Sequence, residues 1–131
     1  MKYLSDYTED KQTELFKECG AFFAFSQERF NEKKVKGAKY VSLDGGLIVL
    51  KSKVEVLREG LSKIHEEGIK QDIKENGKKG IIWRELGNHE AQITNCINDT
   101  VEALSDYGFI TEEIQSEYEA FFSHCVENDL F

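Results

Sequence analysis

Apolar residues recur along most of this chain at the three- and four-residue spacing of an amphipathic helix. In residues 8 to about 34, Leu15, Cys19, Phe22 or Phe23, and Phe30 keep that period, with Gly20 as a weak point, so a first long helix is predicted there. Phe16, Phe22, Phe23 and Phe25 are too many for one stripe. Either that helix is buried on more than one side, or aromatic area is left over for a partner. The period changes between Lys39 and Leu50. Tyr40-Val41-Ser42-Leu43 and Leu47-Ile48-Val49-Leu50 are β-prone runs about Asp44-Gly45-Gly46, whose residues tolerate positive φ, and they predict a hairpin.

Helical spacing then resumes. Ser52-Lys53-Val54-Glu55 is a capping box, in which the serine and glutamate side chains satisfy backbone N–H groups at a helix start. Val54, Leu57, Leu61, Ile64 and Gly68 come next at the same spacing, and Asn76-Gly77 closes the helix. Gly60 and Gly68 weaken it unless a neighbouring backbone approaches closely. Further helices are predicted from Lys78 to about Ile93, from about Asn95 to Tyr107 with Gly108 as the stop, and from Thr111 through Ile114, Tyr118, Phe121, Phe122 and Cys125.

Composition agrees with this pattern. The 131 residues include no proline, the strongest helix breaker, and their length suits one domain, residues 1–131. The expected fold is α+β and predominantly helical, a compact helical cluster with one β-hairpin after the first long helix. A dimer stays open because of the surplus phenylalanine. No run of 18 or more apolar residues occurs, and the first residues lack the apolar stretch of a signal peptide, so a cytoplasmic chain without membrane contact is expected. Cys19, Cys96 and Cys125 are odd in number and widely spaced, which argues against a disulfide framework or structural zinc and for three small core residues.

Charge is divided along the chain. Residues 1–84 hold all 17 basic side chains with 14 acids, whereas residues 85–131 hold eleven acids and no lysine or arginine. Glu102, Asp106, Glu112, Glu113, Glu117 and Glu119 therefore form a candidate acidic face for a basic partner, because the usual Glu/Lys pairing is absent within that segment. Conversely, Lys33, Lys34, Lys36, Lys39, Lys51 and Lys53 fall in a stretch whose one acid is Asp44, and Tyr40 is interleaved among them. Phosphates of RNA or DNA suit such a patch, which also reads as a solvated hairpin edge that discourages aggregation.

Catalytic motifs are lacking. His89-Glu90 begins an H-E-x-x-H zinc pattern, but Ile93 stands where the second histidine belongs. Glu85 and His89, one helical turn apart, form an ordinary surface or capping pair in preference to a metal or proton site. No phosphate-loop, dinucleotide or nucleophile-elbow sequence occurs, so no cofactor is implied and a non-enzymatic protein is expected.

The stretch from Asn76-Gly77-Lys78-Lys79-Gly80-Ile81-Ile82-Trp83-Arg84-Glu85-Leu86-Gly87-Asn88-His89-Glu90 to Val101-Glu102-Ala103-Leu104-Ser105-Asp106-Tyr107-Gly108 resembles small proteins encoded by phages and prophages of Bacteroidetes and other gut bacteria. Phe22-Phe23-Ala24-Phe25-Ser26 and Tyr40-Val41-Ser42-Leu43-Asp44-Gly45-Gly46-Leu47 are similar to the same group's earlier segments. Small acidic phage proteins of this kind resemble anti-CRISPR factors. The resemblance implies a protein that binds and inhibits an RNA-guided Cas nuclease, type VI before type II, in the host cytoplasm. It would act through the acidic face on the nuclease or its guide-RNA complex, with a further guide-RNA contact by the lysine-rich hairpin. The alternative is a phage regulator that binds RNA or DNA through that hairpin directly. Arg84, Glu85, Asn88, His89, Glu90 and Thr94 are the polar positions of the resembling segment, and the preferred reading makes them hydrogen bonds that fix the fold.

Overall fold

A computed structural model describes all residues, Met1–Phe131. The elements run α1 (Leu4–Glu18), β1 (Phe22–Phe23), α2 (Gln27–Lys33), β2 (Tyr40–Ser42), β3 (Leu47–Leu50), α3 (Val54–Asn88), α4 (Ala91–Thr94), α5 (Asn98–Ala103) and α6 (Thr111–Glu127). The protein is thus α+β and predominantly helical. Its residues gather into two compact units: Leu4–Gly68, and Ile69–Phe131 together with Met1–Tyr3. No helix is long and apolar enough to cross a membrane.

The predicted helix over residues 8–34 is in fact two helices and a strand. α1 is terminated by Gly20, two residues past its last helical residue, whose φ of 61° is open to glycine, and the N–H groups of Gly20 and Ala21 bond back to the carbonyls of Lys17 and Phe16. That double bond pattern is a helix-terminating motif requiring a left-handed residue. The Leu50 side chain lies only 2.8 Å from where a Cβ on Gly20 would stand, so the site is closed to larger residues twice over. Released from the helix, Phe22 and Phe23 pair antiparallel with Ile48 and Leu47. Ser26 then caps α2 by accepting a hydrogen bond from the Arg29 N–H.

The hairpin forms as expected, with Tyr40 opposite Leu50 and Ser42 opposite Ile48. Asp44–Gly46 makes its corner as a 3-10 turn with both glycines at positive φ. Addition of β1 completes a three-stranded antiparallel sheet in the order β1-β3-β2. Side chains alternate across it. Val49 and Leu47 face a core built from Leu15 of α1, Cys19 just after it, and Val54, Leu57, Leu61 and Ile64 of α3. Gly60 and Gly68 let α1 approach: a Cβ at either would stand 2.6 Å from Leu15 and 2.5 Å from Thr8 respectively.

α3 is interrupted at Gly77, which has φ 71° and ψ 160°, where the sequence predicted a stop. In the second unit, Ile81, Ile82 and Leu86 beyond that break pack with Ala91, Leu104, Ile114, Tyr118, Phe121 and Cys125. The helix predicted to Ile93 ends instead at Asn88. Glu90 and Asn95 both take left-handed backbone and bracket the single turn α4. Gly108, at φ 77°, comes after α5 and a 3-10 turn as the predicted stop. Of the cysteines, Cys19 and Cys125 are core residues, and burial pushes both thiols up in pKa. Cys96 corrects the expectation: it is exposed, in the segment between α4 and α5.

Candidate functional site

A buried polar cluster surrounds a residue that no sequence motif singles out. Asp72, on α3, is fully buried, and its carboxylate accepts hydrogen bonds from Asn76 Nδ2 at 2.7 Å, Arg84 Nη1 at 2.9 Å, Arg84 Nη2 at 3.0 Å and the Tyr107 hydroxyl. On a straight helix, positions 72 and 84 would lie about 18 Å apart along the axis. The break at Gly77 turns the chain so that the two-pronged guanidinium contact closes. Arg84, with a side chain only 4% exposed, also donates to the Lys2 carbonyl at 2.9 Å and to Glu85 Oε1 at 3.1 Å, and lies against the Tyr3 ring.

Electrostatics agree with this geometry. Burial alone would raise the Asp72 pKa, but the hydrogen bonds from Arg84, Tyr107 and Asn76 overcome it and hold the carboxyl below its ordinary range. Burial likewise opposes the charge on Arg84, and the Asp72 bonds overturn that and raise its pKa. Burial, and then the bond to Asp72, push the Tyr107 phenol up, so it stays a proton donor. Every acceptor direction of Asp72 is used, and its partners all belong to the chain.

The sequence-predicted segment around Arg84 therefore divides. Arg84 and Glu85 turn inward. His89 Nε2 stands 3.6 Å from Glu85 Oε2, an ion-pair separation but beyond hydrogen-bond reach. Asn88, Glu90 and Thr94 are exposed. Asn88 and Glu90 line an open groove of about 780 Å³ with Met1, Tyr3, Lys79 and Trp83.

The acidic face is also divided. Glu113 receives Lys78 Nζ at 2.9 Å, and Glu117 accepts from the Trp83 indole N–H at 2.7 Å. Glu102, Asp106, Glu112 and Glu119 are exposed. Pairing partners absent within residues 85–131 thus come from the start of the helix after Gly77.

The lysine-rich stretch is differently placed. Lys33, Lys34, Lys36, Lys39, Lys51 and Lys53 are all exposed, and none forms an ion pair. Lys33 Nζ donates to the Phe23 carbonyl at 3.2 Å, and Lys34 lies over the Phe30 ring. Tyr40 packs edge-on against Phe22 and Phe30, and its hydroxyl accepts from the Val35 N–H at 2.9 Å. Two of the phenylalanines too many for one helical stripe form a partly exposed pair: Phe25, 71% exposed, stacks on Phe23 with an interplanar angle of 12°.

Asp72 carries a weak signal in the sequence, as the one acid of α3 whose position i+4 is an asparagine just before the break. Tyr107 carries none, since its partner lies 35 positions away.

The fold and these clusters define a predominantly helical α+β protein in which no group of three or more His, Cys, Asp or Glu side chains is placed to hold a metal ion. The chain belongs to a family of unknown function, DUF7659, whose family model matches residues 4–124. No curated protein and no solved structure matches it.

Proposed function

We propose that the protein is a non-enzymatic binding protein that engages nucleic-acid phosphates through the lysine-bearing end of its Leu4–Gly68 unit. The observation that carries this reading is the set of six exposed lysines between Lys33 and Lys53, none spent on an ion pair. The unit as a whole is nearly balanced, with eleven basic and twelve acidic side chains. Attraction is therefore local to this patch and short in range, since charges separated by more than about 10 Å are screened at 0.1 M salt. Fluorescence anisotropy with labelled RNA and DNA tests it. Changing Lys33, Lys34, Lys36 and Lys39 to glutamate should abolish most binding and flatten the dependence of log K on log salt by up to about 3, at roughly 0.7 per phosphate contact on a single strand. Wild-type protein that binds no nucleic acid would remove the proposal.

A second reading is favoured by the exposed carboxylates of Glu102, Asp106, Glu112 and Glu119 on a segment without lysine or arginine. It makes the protein an inhibitor of an RNA-guided Cas nuclease, type VI or type II, that docks in the basic guide or target channel. Co-purification with the effector and loss of target cleavage support it. Binding that appears only when the nuclease is present separates it from the first reading.

A further inference from the structure

We infer that the cleft beside α2, at the Gly46 end of the three-stranded sheet, holds a stacking site for one unpaired nucleobase, with the Phe25 ring at its rim as the platform. This rests on the nucleic-acid reading above and specifies its ligand as a single strand.

The sheet has two unlike faces. Leu47 and Val49 turn toward the helical core, while Phe22, Ile48, Tyr40 and Ser42 turn the other way. α2 covers part of that second face through Phe30, whose ring meets Phe22 and Tyr40. Beside α2 there remains an open cleft of about 420 Å³ lined by Phe25, Gln27, Phe30, Tyr40, Ser42 and Ile48, among others.

Phe25 is the unusual member. A phenylalanine 71% exposed is ordinarily mobile, but this one is held on two sides. Its ring lies so close over Gly46 that a Cβ there would stand 2.7 Å from the ring edge, and it stacks on Phe23. The backbone beneath is fixed by the Ala24 N–H bonding to the Gly46 carbonyl at 2.9 Å. Gly46 is thus required by its own φ of 78° and by the ring above it. An aromatic ring held in place and open to solvent presents area for stacking without the entropy cost of ordering it on binding.

The surroundings suit a base attached to a phosphate. Along the cleft, the Ser42 hydroxyl and the Gln27 side-chain carbonyl make no hydrogen bond within the chain and are available to a base edge. Lys33 Nζ sits 3.2 Å from the carbonyl of Phe23, the residue whose ring backs Phe25. Arg29 projects from α2, and Lys34 and Lys36 come after it in the chain, all exposed. Aromatic platforms flanked by cations are how single strands are bound without base-pairing, and a duplex, whose bases are stacked internally, offers no ring to the site.

The experiment compares a labelled single-stranded oligonucleotide with its duplex, using wild-type protein, Phe25→Ala, Phe25→Trp, Ser42→Trp and the quadruple lysine-to-glutamate variant. Phe25→Ala should weaken single-strand binding roughly fivefold or more, as stacking losses of about 1–3 kcal/mol per base imply. Its salt dependence should stay unchanged and any duplex binding should not move. Phe25→Trp should retain affinity, and Ser42→Trp, which fills the cleft from an exposed position, should lose it. If the lysine variant loses binding while Phe25→Ala and Ser42→Trp both bind as wild type, the stacking site is wrong and the phosphate contact stands. If wild-type protein binds neither form, both fail.

Discussion

In the unit formed by Ile69–Phe131 and Met1–Tyr3, the buried ionisable groups answer one another. The Leu4–Gly68 unit instead holds the most exposed aromatic side chain of the protein, Phe25. The first places Asp72, Arg84 and Tyr107 in a closed set of hydrogen bonds and draws two of its surface carboxylates into contacts with Lys78 and Trp83. The second buries a small core of Leu15, Cys19, Val49 and Leu57, exposes Phe23 and Phe25, and carries six exposed lysines without carboxylate partners, of which Lys33 reaches the Phe23 carbonyl. Polar groups already satisfied have little left to offer a ligand, whereas exposed rings held in place do. The difference places the closed set of buried polar contacts in one unit and, on the function proposed above, the recognition surface in the other.

The largest effect should come from breaking the closed set. Asp72→Ala removes the two-pronged partner of the buried Arg84 guanidinium, leaving it only the single carboxylate contact to Glu85, and should cost about 3–5 kcal/mol in denaturant unfolding. Asp72→Ala combined with Arg84→Met should recover much of that loss, since a buried pair replaced by apolar groups is often near neutral. A double variant as unstable as the single one would show that Arg84 matters through its contacts to Lys2 and Tyr3 instead. The pH dependence has a definite sign. A carboxyl whose folded pKa is depressed contributes stability that is present above its unfolded value, near 3.8, and is lost as pH falls further toward the folded one. The stability gap between wild type and Asp72→Asn should therefore hold from neutral pH to about 5 and narrow below about 4.

Next in size is Tyr107→Phe, which removes one donor from a buried carboxylate and should cost about 1.5–3 kcal/mol. In the other unit, Gly68→Ala should cost about 1–3 kcal/mol by overpacking, although alanine is the better helix former, because the new methyl meets the branched Thr8 side chain. A stabilised Gly68→Ala variant would mean that α1 is not held closely against α3.

The same contrast explains which parts of the molecule are legible in the sequence. The hairpin, the interruption at Gly77, the stop at Gly108 and the core stripe of α6 are readable because turn chemistry and local spacing determine them. The single long helix expected over residues 8–34 fails because Phe22, Phe23 and Phe30 happen to keep a helical spacing, and Gly20 is a terminator rather than a weak point. Whether a glycine ends a helix depends on the partners open to the residues beyond it. Here two aromatic residues pair with a strand, β3, that lies more than 20 positions later. The preferred structural reading of Arg84 and Glu85 agrees with their inward contacts, but the partner that explains Arg84 is hidden in the sequence, because Asp72 comes within reach only through the break at Gly77. Tyr107 and the seat of Phe25 on Gly46 are likewise contacts between distant positions, and no local pattern announces them.

The smallest expected effect on stability is also the sharpest test of the acidic side. Reversing Glu112 and Glu119 to lysine alters two exposed positions off the Ile114, Tyr118 and Phe121 stripe, and each change should move stability by less than about 0.5 kcal/mol. Glu113→Lys and Glu117→Lys are different in kind, because the first sets a like charge against Lys78 and the second leaves the Trp83 indole N–H without its acceptor. They should destabilise where the first pair does not. If Glu112→Lys with Glu119→Lys abolishes binding to a Cas effector while helicity and melting temperature stay as in wild type, the exposed carboxylates are a docking face and the second functional reading gains. If effector binding is unchanged while nucleic-acid binding still depends on Phe25 and the lysines, those acids act mainly through solubility, and recognition belongs to the sheet of the Leu4–Gly68 unit.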